Sequence, residues 1–195
     1  SRLLYLARMN FNKSLGLQEP IYQRHSEIGR FIPIKLVRDD EDVATTVNGI
    51  CELVMHQIDH AADFIPAMEW AVNEIIDNIR IHSDTKVPGV VCAQYYPQMH
   101  RLDIAICDMG LGIKETLGRS HKISDSKEAI EKALRRGVTR DPEIGQGNGM
   151  AGALTISEAN QGEFYVWTGD CIFESKNGST TFSNIQNVKG TGVMF

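Results

Sequence analysis

A chain of 195 residues, 42% apolar and 23% charged, has the makeup of one ordinary globular domain with a substantial core, or of one domain with a short appendage. Its 20 basic and 25 acidic side chains leave a net charge of −5, which weighs against non-specific nucleic-acid binding, because neutralising phosphates takes a basic surface. No apolar run reaches the length of a bilayer crossing, and the first residues show no signal-peptide pattern.

Residues 1–29 are polar and weakly patterned, and read as a lead-in segment to a domain over 30–195. Residues 30–37 read as a first strand, which Pro33 places at an edge or end of a sheet. The acidic run Asp39-Asp40-Glu41-Asp42 then opens a helix, since carboxylates favour the positive end of the helix dipole. Val43, Val47, Ile50, Val54 and Ile58 recur at helical spacing and mark its buried stripe. After Pro66 a second helix is predicted over 67–82, with Met68, Val72, Ile75, Ile76 and Ile79 on its apolar face.

Residues 90–96 and 102–107 read as two strands joined by a Pro-Gln-Met-His turn. From Gly110 to Gly147 the pattern turns polar, with one short helix that Asp125 and Glu128 open at capping-box spacing and that closes near Gly137. A glycine-rich stretch from Gly145 to Gly152 leads into a helix ending around Gly162. Residues 163–168, 171–174 and 192–195 read as three further strands. The expected fold is a two-layer α/β sandwich, a mixed, mostly antiparallel sheet with helices on one face.

Cys51, Cys92, Cys107 and Cys171 show no metal or redox spacing, and read as small buried hydrophobes of a reducing, cytoplasmic protein. A chain that opens at Ser1 and stops at Phe195 inside a predicted strand is expected to be a piece of a longer protein.

Three segments carry chemistry. On the second helix Glu74, Asn78 and His82 stand four apart, so a carboxylate, an amide and an imidazole line one face away from the apolar stripe. An asparagine carbonyl suits Mg²⁺, which otherwise keeps waters and phosphate oxygens, and a glutamate one turn away can orient or deprotonate a nucleophile. Taken alone, such a stripe is more often the solvated face of an amphipathic helix, because such faces are common. Next, Asp108 falls where an apolar strand ends, followed by Gly110 and Gly112. A carboxylate there needs a donor, which the exocyclic amine of adenine supplies, and the glycines admit a flat base. Last, Gly145, Gly147, Asn148 and Gly149 enter a helix whose first N–H groups can cradle phosphates, without the Gly-Lys-Ser/Thr of a Walker A loop.

Taken in order, with Gly190-Thr191-Gly192 before the final strand, these segments resemble the boxes of the gyrase, heat-shock chaperone, histidine kinase and MutL (GHKL) ATP-binding superfamily, across roughly residues 30–195. The resemblance implies a Bergerat-type ATP-binding fold and Mg²⁺-ATP as cofactor. It assigns Asp108 to the adenine amine, with Thr191 in the same network through water, and Asn78 to Mg²⁺. Gly110 and Gly112 would shape the base pocket, while His82 and the Gly145, Gly147, Asn148 and Gly149 segment would lie at the nucleotide. Residues 117–146 would form a lid whose Arg135, Arg136 and Arg140 are candidate phosphate contacts.

Glu74 would be the catalytic base. A glutamate there is similar to the ATP-hydrolysing members and to the anti-sigma-factor serine kinases, and the layout of one strand and one long helix before it looks most like the latter. The implied partner is a small protein presenting a serine or threonine. An ATPase module of a larger machine, a sensor histidine kinase catalytic domain and a nucleotide-gated interaction module are the alternatives, with a homodimer an open option. His56 and His60 precede the second helix without a phosphoacceptor motif and read as surface or packing residues.

Overall fold

The computed structural model describes residues 2–18, 29–59, 61–82, 86–135, 137 and 148–195, with the side chains of residues 2–4, 79–82 and 187 outside that description. Five strands, β1 (Phe31–Val37), β2 (Gly89–Tyr96), β3 (Arg101–Cys107), β4 (Phe164–Lys176) and β5 (Ser179–Met194), form one sheet in the order β1-β2-β3-β5-β4. Every pairing is antiparallel. Helices α3 (Asp40–Gln57), α4 (Ile65–His82), α5 (Ile113–Gly118), α6 (Ser126–Ala133) and α7 (Gly149–Ala159) complete the main layer. The result is a two-layer α/β sandwich.

Strand alternation shows which face the helices cover. Along β2, Val91, Ala93 and Tyr95 are buried in the main core while Val90, Cys92, Gln94 and Tyr96 are half-buried on the other side. α3 packs on β1 and β2, α4 on β2 and β3, and α6 and α7 on β4. Ile50, Met68, Ile76, Ile104, Ile130 and Phe164 are fully buried between the layers. Burying each such side chain is worth about 1.5–3 kcal/mol.

Local signals explain the helix starts. Asp39 accepts a hydrogen bond from the Asp42 N–H at 2.9 Å, with the acidic run in the first turn of α3. Pro66 lies in the first turn of α4, where no helical N–H partner is lost. Asp125 accepts from the Glu128 N–H at 2.8 Å, while the Glu128 carboxylate reaches back to the Ser124 N–H at 2.7 Å, a capping box displaced by one residue.

The lead-in residues hold two short helices, α1 (Arg2–Arg8) and α2 (Phe11–Ser14), against the reverse face of the sheet. Tyr5 donates to Gln94 Oε1 at 2.9 Å, the Ile34 N–H donates to the Met9 carbonyl at 2.9 Å, and the Arg8 guanidinium lies 5.1 Å from the Phe31 ring centre. Ala7, Met9 and Phe31 are buried there, apart from the main core.

The last third of the chain departs from the three short strands expected. β4 runs unbroken through residues 171–174, and β5 extends from Ser179 to Met194. The reason is the two-residue turn at Asn177 and Gly178, whose φ angles of 51° and 73° match the twist of a hairpin. The expected lid range also differs in its first half. α5 and α6 pack against β4, with Leu117, Ala129 and Ile130 in the core. Residues 136 and 138–146 of that range lie outside the described residues. No helix among the described residues is long and apolar enough to cross a membrane.

Candidate functional site

Among the described residues, chain topology brings Asp108, Gly110, Gly112 and Thr191 to one end of the sheet. α4 finishes at His82, a short connection leads to Gly89, and the start of β2 pairs with the end of β3 through Val90 and Cys107. The last turns of α4 therefore lie at the end of the sheet where Asp108 leaves β3. β5 arrives at the same place, since Cys107 pairs with Gly192.

The polar stripe of α4 does not face solvent freely. Its residues pack against the start of α7, where the absence of side chains lets the helices close. A methyl group on Gly149 would lie 2.7 Å from Glu74 Cβ, 3.1 Å from Glu74 Oε2 and 3.4 Å from Asn78 Nδ2. One turn earlier, Trp70 lies across Gly152, whose missing methyl would sit 2.2 Å from the indole. Trp70 thus continues the Glu74 and Asn78 stripe toward the N-terminus, and the four-residue spacing alone was enough to find it. Burial, followed by the Asp77 charge, raises the Glu74 pKa above its ordinary value of 4.5.

The second cluster is a corner of backbone and hydroxyl groups. The Asp108 N–H donates to the Thr191 carbonyl at 2.8 Å, and the Gly110 N–H donates to Asp108 Oδ1 at 2.6 Å. Burial raises the Asp108 pKa, opposed by hydrogen bonds from the Gly110 and Thr191 backbone. Gly190, at φ 89°, brings β5 so close that a methyl group would lie 2.1 Å from the Asp108 carbonyl oxygen. Gly112, at φ 83°, lies close to Thr168, with 2.8 Å from a methyl there to Thr168 Oγ1.

Thr168 is the residue that holds this corner, and motif reading missed it. It is 1% exposed, its Oγ1 accepts from the Ile113 N–H at 3.1 Å, and it donates to the Gly190 carbonyl at 3.1 Å. Thr191 Oγ1 lies 3.3 Å from the same atom. The available signal was alternation: Phe164, Val166 and Thr168 share the core face, and a hydroxyl on that face needs partners.

Asn148 stands just before α7 and accepts from the Gly137 N–H through Oδ1 at 3.2 Å. Arg135 is exposed. The Gly145, Gly147, Arg136 and Arg140 positions, His60 and the side chain of His82 lie outside the described residues. Of the cysteines only Cys171 is fully buried, the others being half-buried, and burial pushes every thiol up, Cys107 to about 11.

Among the described residues no three histidine, cysteine, aspartate or glutamate side chains gather as a metal site. The oxygen donors at the α4–α7 seam are the Glu74 carboxylate and the Asn78 amide. A cleft of about 470 Å³ opens beside Gly112 and Thr168, lined also by Lys114, Ser126, Asp170 and Lys189. Of the predicted residues Gly112 lines it, while Asp108, Glu74 and Asn78 do not. No protein-family model and no curated protein sequence matches the chain.

Proposed function

We propose that this domain binds Mg²⁺-ATP in the manner of the GHKL superfamily and transfers the γ-phosphoryl group to a serine or threonine of a protein partner. One observation carries the reading. Glu74 and Asn78 meet the glycine start of α7 at the end of the sheet where Asp108 sits half-buried with acceptor capacity to spare.

The residues present fit the cofactor. The Asp108 carboxylate accepts from the Gly110 and Thr191 backbone, and its remaining lone pairs could accept from the amine edge of adenine. The Thr191 hydroxyl lies 3.3 Å from that of Thr168 at the same corner. The first N–H groups of α7, an eleven-residue helix, point outward beside Asn78, where an anion is favoured. ATP would bring the transferable phosphoryl group, and Mg²⁺ the charge that offsets its oxygens. Asn78 would hold the metal through its carbonyl oxygen. Glu74 would accept the proton of the attacking hydroxyl, and its raised pKa brings it nearer to working pH.

The packing of α1 and α2 on the chain's own sheet favours this reading over an ATPase module whose leading segment reaches a second protomer. Glu74→Gln tests it. Turnover of Mg²⁺-ATP should fall by roughly 10²–10⁴-fold while ATP affinity stays the same. Undiminished turnover would remove Glu74 from the chemistry, and absence of turnover in the parent itself would leave a binding module. In the parent protein, activity should fall as pH drops through the raised Glu74 pKa, because the protonated acid cannot accept a proton.

A further inference from the structure

Among the described residues β1, β4 and one long stretch of β5 have open edges, and the first two carry guards against pairing. β1 has Pro33, Lys35 and a register shift between Ile32 and Lys35. β4 carries Asp170, Glu174 and Lys176. Charges, prolines and bulges of this kind keep edges from recruiting another strand. The third stretch has no such charge. β3 and Asp108 bond the chain only over Thr191–Phe195, so Ser179–Val188 has β4 on one side and, among the described residues, no backbone partner on the other. Its ten residues, Ser-Thr-Thr-Phe-Ser-Asn-Ile-Gln-Asn-Val, include no charge and no proline. The first six hold unbroken register with β4, from Ser179 opposite Lys176 to Asn184 opposite Cys171, before a bulge intervenes. That is a straight edge of about 20 Å.

We propose that this edge pairs, antiparallel and across a twofold axis, with the same edge of a second copy of the chain, joining two sheets into one. An open ladder of N–H and C=O groups is a template for another strand. Antiparallel pairing of identical strands is self-complementary, as a twofold interface requires. The lack of charge favours the second copy over other partners. Homotypic pairing here opposes no like charges, and a charged partner finds nothing to select. The edge is also braced from within, because Phe182 stacks on Phe173 on the core side with ring centres 5.2 Å apart. Thr181 and Ser183 point to the other face and are exposed.

Sedimentation equilibrium on the whole chain, from about 10 μM to about 1 mM, tests this. The variants are Ser183→Lys and Ser183→Glu, alone and mixed. Position 183 faces uncharged Ile172 across the hairpin with Glu174 as its diagonal neighbour, so each variant is compared with the parent by circular dichroism, which both should keep. The parent should dimerise with rising concentration, each variant alone should dimerise roughly three- to tenfold more weakly, and the mixture should recover. A parent that stays monomeric, dimers indifferent to both charges, or a mixture that does not recover would overturn the proposal.

Discussion

The seam between α4 and α7 and the corner between β3 and β5 both set a carboxylate beside a glycine that leaves no room for a side chain. They differ in what the glycine touches. At the seam, Gly149 meets the Glu74 side chain, with 2.7 Å from a methyl there to Cβ. At the corner, Gly190 meets the Asp108 main chain, with 2.1 Å to its carbonyl oxygen. A side chain on a helix can rotate, and a helix can slide by a fraction of an ångström. A main-chain carbonyl beside the hydrogen bond from the Asp108 N–H to Thr191 has far less freedom. The end proposed to hold the base is therefore built into the sheet, while the end proposed to do chemistry rests on helices that can adjust.

The contrast breaks or sharpens under substitution. Gly190→Ala should have the largest effect, combining a backbone clash with a positive φ, for a loss of about 3 kcal/mol and a Tm lower by roughly 6–12 °C. A fall of less than about 2 °C in thermal denaturation would show that the corner yields after all. Thr168→Val keeps the shape but leaves the Ile113 N–H and the Gly190 carbonyl without their buried partner, costing about 1–3 kcal/mol.

Gly149→Ala should cost less, about 1 kcal/mol, because alanine favours the helix while the Glu74 side chain must move. Equal losses at positions 149 and 190 would erase the distinction between seam and corner. The smallest effect, of opposite sign, belongs to Asp108→Asn. Burial raises the Asp108 pKa, so its contribution to folded stability is full below its ordinary pKa of 3.8 and is lost as pH rises through the raised value. The asparagine variant escapes that loss. Its Tm should exceed the parent's by about 1–3 °C at pH 7, and the gap should close as pH falls toward 4.

Sequence patterns exposed the seam better than the corner, for a physical reason. A helix face is local: Glu74 and Asn78 are four residues apart, and periodicity places them together without knowledge of the fold. The apolar faces of α3 and α4 were legible in the same way, as was the Asp125 cap of α6. The corner instead joins Asp108, Gly112, Thr168 and Gly190, and only strand pairing brings them into contact. Gly190 was read as part of a motif, but its closeness to the Asp108 carbonyl depends on β5 arriving beside β3. The long hairpin was missed because Ser179–Val188 lacks apolar alternation. The Asn177-Gly178 pair was a turn signal that went unread. The helices of the lead-in segment rest on tertiary contacts from Tyr5, Arg8 and Met9, which its weak periodicity did not announce.

The central claim is that Asp108 and the α4–α7 seam belong to one ATP site. Calorimetric titration with ATP and with GTP, with and without Mg²⁺, on the parent and on Asp108→Asn tests it most directly. The account predicts ATP binding that GTP does not match, that Mg²⁺ strengthens, and that weakens by roughly tenfold or more in the variant, as loss of a charged hydrogen-bond acceptor implies. Equal binding of GTP, no binding of either nucleotide, or an unchanged affinity in Asp108→Asn would contradict it.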